Sequence, residues 1–310
     1  MSLAFVFPGQ GSQAVGMLSA LAESNPLVRE TFSEANDALG FDLWGLVQNG
    51  PEESLNQTTN TQPAMLAAGV ATWRVWQERG GAMPAVMAGH SLGEYTALVC
   101  AGSLAFTDAI KLVADRGRFM QEAVPAGEGA MAAIIGLDDD GVHSLCEANA
   151  GDEVLSPVNF NSPGQVVIAG SAAAVQRAVD GAKSAGAKRA LVLPVSVPSH
   201  CQLMHGAAER MADRLAAIAL TAPEIPVIHN YSVQVETTPD AIKQALVSQI
   251  EQPVRWVETI QKMASDGVDK LVECGPGKVL VGLNKRIDKS MDTWAVYDPE
   301  TMAAALEGVK

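Results

Sequence analysis

The chain has 310 residues, 48% hydrophobic and 18% charged, enough apolar material for one large domain or a large and a small one, which excludes a disordered or fibrous protein. A formal net charge of −14 argues against nucleic acid as a partner, because nucleic acid selects basic surfaces. No apolar stretch approaches the ~18 residues that cross a bilayer, and the opening segment has no basic region or small-residue cleavage site, so a cytoplasmic protein without membrane association is expected.

The opening, SLAFVFPGQGSQAVGM, reads as strand, Pro/Gly turn and helix. AVMAGHSLGEYTALVCAG repeats that grammar, and so does KLVECGPGKVLVGLNKRI near the end. IPVIHNYS is a further apolar run that ends in polar residues. Short continuous apolar runs alternating with helical patterns predict a parallel sheet covered on both faces. The middle differs. A strand over 130–137 is followed by a polar-start helix, then by two strands joined at Ser162-Pro163-Gly164, a helix with Ser171 as N-cap, and the strand RALVLPVS. That order, βαββαβ, is the ferredoxin-like pattern. The predicted fold is therefore α/β, with a large parallel-sheet domain from 1–125 and 197–310 and an inserted ferredoxin-like small domain at 126–196.

Gly89-His90-Ser91-Leu92-Gly93 fits G-x-S-x-G. A sharp strand-to-helix turn would hold Ser91 in a strained conformation, with glycines where a Cβ would clash and its hydroxyl standing proud of the sheet edge. The N–H groups that follow open a helix and carry the positive end of its dipole, so an oxyanion formed at Ser91 would meet the N–H of Leu92. The alternative is a plain turn with a capping serine.

A serine nucleophile needs a base. Of the five histidines, His90 lies inside the turn and His143 in a polar helix start. His200, in a loop after a strand and a proline, ranks first, slightly ahead of His229 and His205. No acid follows in the usual order: Asp138, Asp139 and Asp140 lie in the inserted unit, and Asp240, Glu251 and Asp266 come after His200. A backbone carbonyl could hold Nδ1–H instead. The four cysteines, Cys100, Cys146, Cys201 and Cys274, are scattered and read as free thiols in a reducing compartment. Cys201, beside His200, is a weaker candidate nucleophile.

In TDAIKLVADRGRFMQEA the apolar positions Ala109, Leu112, Val113, Phe119 and Met120 mark a helical stripe. Arg116 lies on that stripe and Arg118 off it. A buried guanidinium without an anion costs several kcal/mol, so Arg116 pairs either with a protein carboxylate such as Glu94 or with a ligand's. Gly9-Gln10-Gly11 lacks the third glycine of a dinucleotide fingerprint, and Gly275-Pro276-Gly277-Lys278 lacks the spacing of a P-loop.

FVFPGQGSQ, TQPA, AGHSLGEYTAL, RGRFMQEA, NFNSPGQVVIAG, LPVSVPSHCQLM, QPVRW and ECGPGKVL, in this order, resemble the malonyl-CoA:acyl carrier protein transacylases of bacterial type II fatty acid synthesis over essentially the whole chain. The resemblance implies a hydrolase-like large domain and ping-pong transfer of malonyl from malonyl-CoA to the phosphopantetheine thiol of acyl carrier protein, by a monomer without metal or cofactor. It makes Ser91 the acylated nucleophile, His200 its base and acid, and Arg116 the partner of the malonyl carboxylate. Gln10 and Leu92 would supply the oxyanion-hole N–H groups, the Gln249 main-chain carbonyl would orient His200, and Gln62 and Asn161 would line the acyl pocket. An acidic carrier would need basic residues near the mouth of the site; Lys188, Arg189, Lys285 and Arg286 are the candidates, the alternative being that they form an ordinary solvated face. Two other readings stay open. A serine thioesterase or esterase would have no use for a buried Arg116 and would normally keep a triad acid; a non-catalytic carrier-binding module could share the scaffold.

Overall fold

The first strand, β1 (Ser2–Phe7), is apolar at every position after its serine and is buried from Leu3 onward. Leu3, Phe5 and Phe7 face one way, where Trp73 and Trp76 meet the Phe5 ring edge-on at 5.1 and 5.0 Å. Ala4 and Val6 face the other way, into a second cluster that contains Trp256. A strand buried on both faces belongs at the centre of a parallel sheet.

The computed structural model describes residues 2–195 and 197–310. Ser196, the expected edge of the inserted unit, lies outside the described residues. The further strands are β2 (Val86–Gly89), β3 (Gly129–Ile135), β4 (Leu155–Ser162), β5 (Gln165–Ser171), β6 (Arg189–Val192), β7 (Val227–Ile228), β8 (Val268–Cys274) and β9 (Asp292–Val296). They form a five-stranded sheet of order β7-β2-β1-β8-β9, parallel throughout, and a four-stranded antiparallel sheet of order β4-β5-β3-β6. The fold is α/β, and the second sheet with its two helices has the split βαββαβ order.

The small sheet packs its two faces differently. Ala132, Ile134, Val166 and Ile168 bury against the helices Asp139–Ala150 and Ala172–Ala182. Met131, Val158, Val167 and Ala169 face the other way and pack with Cys201 from the main unit. Backbone bonds tie the units together: Phe160 N–H donates to Val254 C=O at 3.0 Å, and Val254 N–H donates to Val158 C=O at 2.8 Å.

Three local expectations change. Ser171 occupies the N-cap position, but its side chain makes no capping bond. The last strand of the small sheet stops at Val192, before Pro194. IPVIHNYS yields only the two-residue β7, because His229 and Asn230 turn away to a buried carboxylate. No helix among the described residues is long and apolar enough to cross a membrane.

Candidate active site

β2 ends at Gly89, and the helix Gly93–Cys100 starts three residues beyond His90. Both glycines are required by space. A Cβ on Gly89 would stand 1.8 Å from the Gly93 carbonyl carbon, and one on Gly93 would stand 2.1 Å from the Phe7 oxygen. Ser91 between them has φ 50°, in the left-handed region, a conformation that costs about 1–3 kcal/mol for a residue with a side chain. Two side chains hold it there. Ser91 N–H donates to Asn230 Oδ1 at 2.7 Å, and Gln249 Nε2 donates to Ser91 C=O at 2.9 Å. Asn230 Nδ2 also donates to Gly89 C=O.

Ser91 Oγ lies 2.7 Å from His200 Nε2. On the far side of the ring, Nδ1 lies 2.7 Å from the main-chain oxygen of Gln249. A carbonyl only accepts, so Nδ1 carries the proton and Nε2 offers its lone pair to the serine hydroxyl. His200 is 3% exposed. Burial first, and then the neighbouring Arg116 charge, lower its pKa to about 3, so the imidazole is neutral near pH 7. The other candidate bases stand elsewhere. His229 is buried against Glu94, His205 is at the surface beside Glu251, and His90 turns its Nε2 to Asn161 Oδ1 at 2.8 Å. The Cys201 thiol donates to Pro198 C=O, and burial pushes its pKa up to about 11; neither fact suits a nucleophile.

Arg116 is 1% exposed on the helix Phe106–Ala123. Its Nη1 donates to Gln62 Oε1 at 2.8 Å, and its Nη2 donates to Gln249 Oε1 at 3.0 Å and Ser91 Oγ at 3.3 Å. Its Nε–H is buried and has no partner among the described residues. Tyr95 lies beneath it, ring centre 5.4 Å from Cζ. None of these contacts is a carboxylate. Glu94, the protein partner weighed from the sequence, bonds instead to His229, Asn230 and Gln249. Burial lowers the Arg116 pKa from its ordinary value, the direction expected of a cation in a dry site.

These groups line a cavity between the two units. Gln10, Gln62, Ser91, Leu92, Arg116 and His200 form its polar wall; Met131, Leu193, Val195 and Val197 form its apolar wall. Pairing of β1 with β2, Phe7 opposite Gly89, brings the loop after β1 beside the serine. Among the described residues, neither the Gln10 nor the Leu92 N–H is taken by a protein acceptor. No cluster of His, Cys, Asp or Glu among them could hold a metal ion.

Asn161 does not line the cavity. It is 9% exposed and stands behind His90, while Asn159 reaches the wall. Lys188, Arg189, Lys285 and Arg286 are all exposed. Arg286 donates to Gln165 at 2.7 Å, and Ile135 pairs with both Gln165 and Arg189 across the sheet. Three of the four basic residues thus gather at one end of the small sheet. The cavity wall lies at the other end, about 13 Å along β6 at the rise of a strand. Sequence reasoning missed Asn159, Asn230 and the anchoring part of Glu94; for Asn230 the one signal was a polar pair at the carboxyl end of an apolar run.

A neutral histidine on a strained serine, with free N–H groups beside it and no triad acid, defines a serine acyltransfer site. The chain belongs to the acyl transferase family, whose acyl transferase domain matches residues 4–298. It is 61% identical over 304 residues to the malonyl CoA-acyl carrier protein transacylase of Escherichia coli K12, covering 98% of each chain. A crystal structure of an acyl carrier protein S-malonyltransferase from Vibrio cholerae superposes with a TM-score of 0.96 at 60% identity, covering 100% of both chains. A malonyl-transacylase solved in complex with its type II PKS acyl-carrier protein superposes with a TM-score of 0.98 at 56% identity, covering 99% of this chain and 100% of that one.

Proposed function

We infer that this protein moves a malonyl group from malonyl-CoA to the phosphopantetheine thiol of acyl carrier protein, through an ester on Ser91. The observation that carries the reading is a buried, carboxylate-free guanidinium 3.3 Å from the serine oxygen, in a cavity lined also by the base. Ser91 Oγ attacks the thioester carbonyl as His200 Nε2 takes its proton. The oxyanion sits on the N–H groups of Gln10 and Leu92; losing one such donor typically costs ~10²–10³ in rate. The carbonyl re-forms, CoA leaves as its thiol with the proton from His200, and malonyl remains on Ser91. The carrier thiol then enters, gives its proton to His200 and attacks the ester; as the tetrahedral intermediate collapses, Ser91 recovers the proton. Arg116 grips the free carboxylate, Gln62 steadies Arg116, and the Gln249 carbonyl keeps His200 in the reactive tautomer. No step calls on a metal or cofactor.

The test is intact mass after mixing with malonyl-CoA, followed by addition of phosphopantetheinylated carrier or buffer. A malonyl adduct absent from Ser91→Ala, and discharged to the carrier faster than to water, is the expected result. No adduct would overturn the reading, and discharge to water at the same rate would make the protein a thioesterase.

A further inference from the structure

We propose that Glu94 is the counter-ion of Arg116, acting at one remove through the side-chain amide of Gln249, and that this sets how tightly the site holds a substrate carboxylate. The inference rests on the malonyl-transfer reading for its kinetic consequence, though not for its thermodynamic one.

Glu94 and Gln249 are both fully buried. Glu94 Oε2 accepts from Gln249 Nε2 at 2.9 Å and from Asn230 N–H at 2.9 Å, and Oε1 accepts from His229 Nδ1 at 2.7 Å. Three donors and no acceptor are the surroundings of an ionised carboxylate. His229 Nε2 is buried and meets no partner among the described residues. A second N–H there would be an unsatisfied buried donor, so the ring donates from Nδ1 and leaves the Glu94 charge intact.

Gln249 turns the opposite end of its amide to the guanidinium: Oε1 accepts from Arg116 Nη2 at 3.0 Å. One planar amide thus joins cation to anion, donor end to carboxylate and acceptor end to guanidinium. Burial opposes the Arg116 cation most strongly, Tyr95 beside it opposes that loss, and the Glu94 charge adds to the support of the cation. A direct ion pair would have filled the edge of the guanidinium that faces the cavity. The relay moderates the cation and leaves the serine-facing side for a ligand. Glu94 is therefore a positioning residue: its backbone N–H donates to Ser91 C=O at 3.1 Å, but its carboxylate touches neither substrate nor the nucleophilic hydroxyl.

Glu94→Gln tests this, because an amide can keep all three hydrogen bonds if His229 moves its proton to Nε2, while the charge is lost; the unpaired Nε2–H this leaves costs the same whether or not Arg116 is present, so it cancels in the cycle below. The first readout is protection of Ser91 from a neutral serine-directed acylating reagent by malonate. Malonate should bind Glu94→Gln roughly five- to tenfold more tightly, since it becomes the only anion near the guanidinium. KM for malonyl-CoA should fall with it, while kcat/KM for acetyl-CoA stays within about twofold. Unchanged malonate affinity, or equal losses for both thioesters, would overturn the proposal and leave Glu94 a structural anchor. The second readout is a thermal double-mutant cycle with Arg116→Met. Glu94→Gln should destabilise the parent more than it destabilises Arg116→Met, and should fold in that background even if it fails alone. Additive losses would refute the pairing whatever reaction the enzyme performs; failure of malonyl transfer with a coupled cycle would refute only the functional reading.

Discussion

Replacing Arg116 with alanine separates the two acyl groups the site could accept. The guanidinium is 1% exposed, and among the described residues it meets no carboxylate and its Nε–H no acceptor. A malonyl carboxylate that reaches the guanidinium from the cavity it lines forms a charge-assisted, two-pronged contact in a dry site. Breaking a buried ion pair by removing one partner costs about 3–5 kcal/mol. At 1.36 kcal/mol for each factor of ten, kcat/KM for malonyl-CoA should fall by about 10²–10⁴. Acetyl-CoA has no carboxylate to lose, so its kcat/KM should change by less than about tenfold, and could rise as a desolvated cation leaves the site. The catalytic histidine should survive the change, because Gln249 keeps its bonds to Ser91 C=O and Glu94 and so keeps its own carbonyl on His200. The assay is initial rates with both thioesters and one thiol acceptor. Equal losses for malonyl and acetyl would refute carboxylate pairing and reassign Arg116 to the transition state that the two substrates share.

Removing the same cation should move a pH profile. Burial and then Arg116 lower the His200 pKa to about 3, so Arg116→Ala should shift the acid limb of acetyl transfer to higher pH; a limb that stays put would contradict that charge coupling. The same shift bears on stability. The unfolded histidine protonates near 6.5 and the folded one near 3, so the unfolded chain binds more protons between those values. This contribution to stability is complete above about pH 6.5 and is lost as pH falls toward 3. His200→Gln should flatten that stretch of a plot of denaturation midpoint against pH. Asn230→Ala should leave the Ser91 N–H and Gly89 C=O buried without a partner, at about 1–3 kcal/mol each. A Tm drop of roughly 3–9 °C by calorimetry, with equal kcat losses for both thioesters, is expected; a stable variant of normal kcat would show that the elbow needs no such clamp. Charge reversal at Lys188, Arg189, Lys285 and Arg286 together should raise KM for the carrier and leave transfer to a small thiol unchanged, and an unchanged carrier KM would remove that patch from docking.

What the sequence disclosed was set by how local the physics is. Gly89 and Gly93 announce the elbow because a Cβ at either would strike backbone only a few residues away or on the neighbouring strand. Arg116 announces itself because helical spacing alone puts it among apolar residues. The small sheet follows from alternating periods along one continuous stretch. Asn159 and Asn161 were exchanged because β4 is irregular, with register shifts at Pro157/Asn159 and Phe160/Ser162, so counting along the strand does not tell which asparagine reaches the cavity. β9, half-buried at the sheet edge, is too short to separate from a turn by pattern. The Glu94, Asn230 and Gln249 network draws on positions up to 155 residues apart, and no local pattern records which buried polar groups will meet.

The missing triad acid has a physical reason that joins these observations. Arg116 Nη2 is 3.0 Å from the side-chain oxygen of Gln249, whose main-chain oxygen holds His200 Nδ1. A carboxylate set to orient the histidine would stand beside the guanidinium, pair with it, and compete with the substrate's own carboxylate. A neutral carbonyl orients the ring without supplying that rival anion, and the relay through Gln249 keeps the compensating charge of Glu94 off the open edge. The cost is a weak base: with no carboxylate behind it and a cation alongside, His200 gains little when it becomes an imidazolium. A thiol, with a pKa near 8.5, tolerates a weak base far better than water at about 15.7, so the arrangement that admits an acidic acyl group also biases its departure toward a thiol.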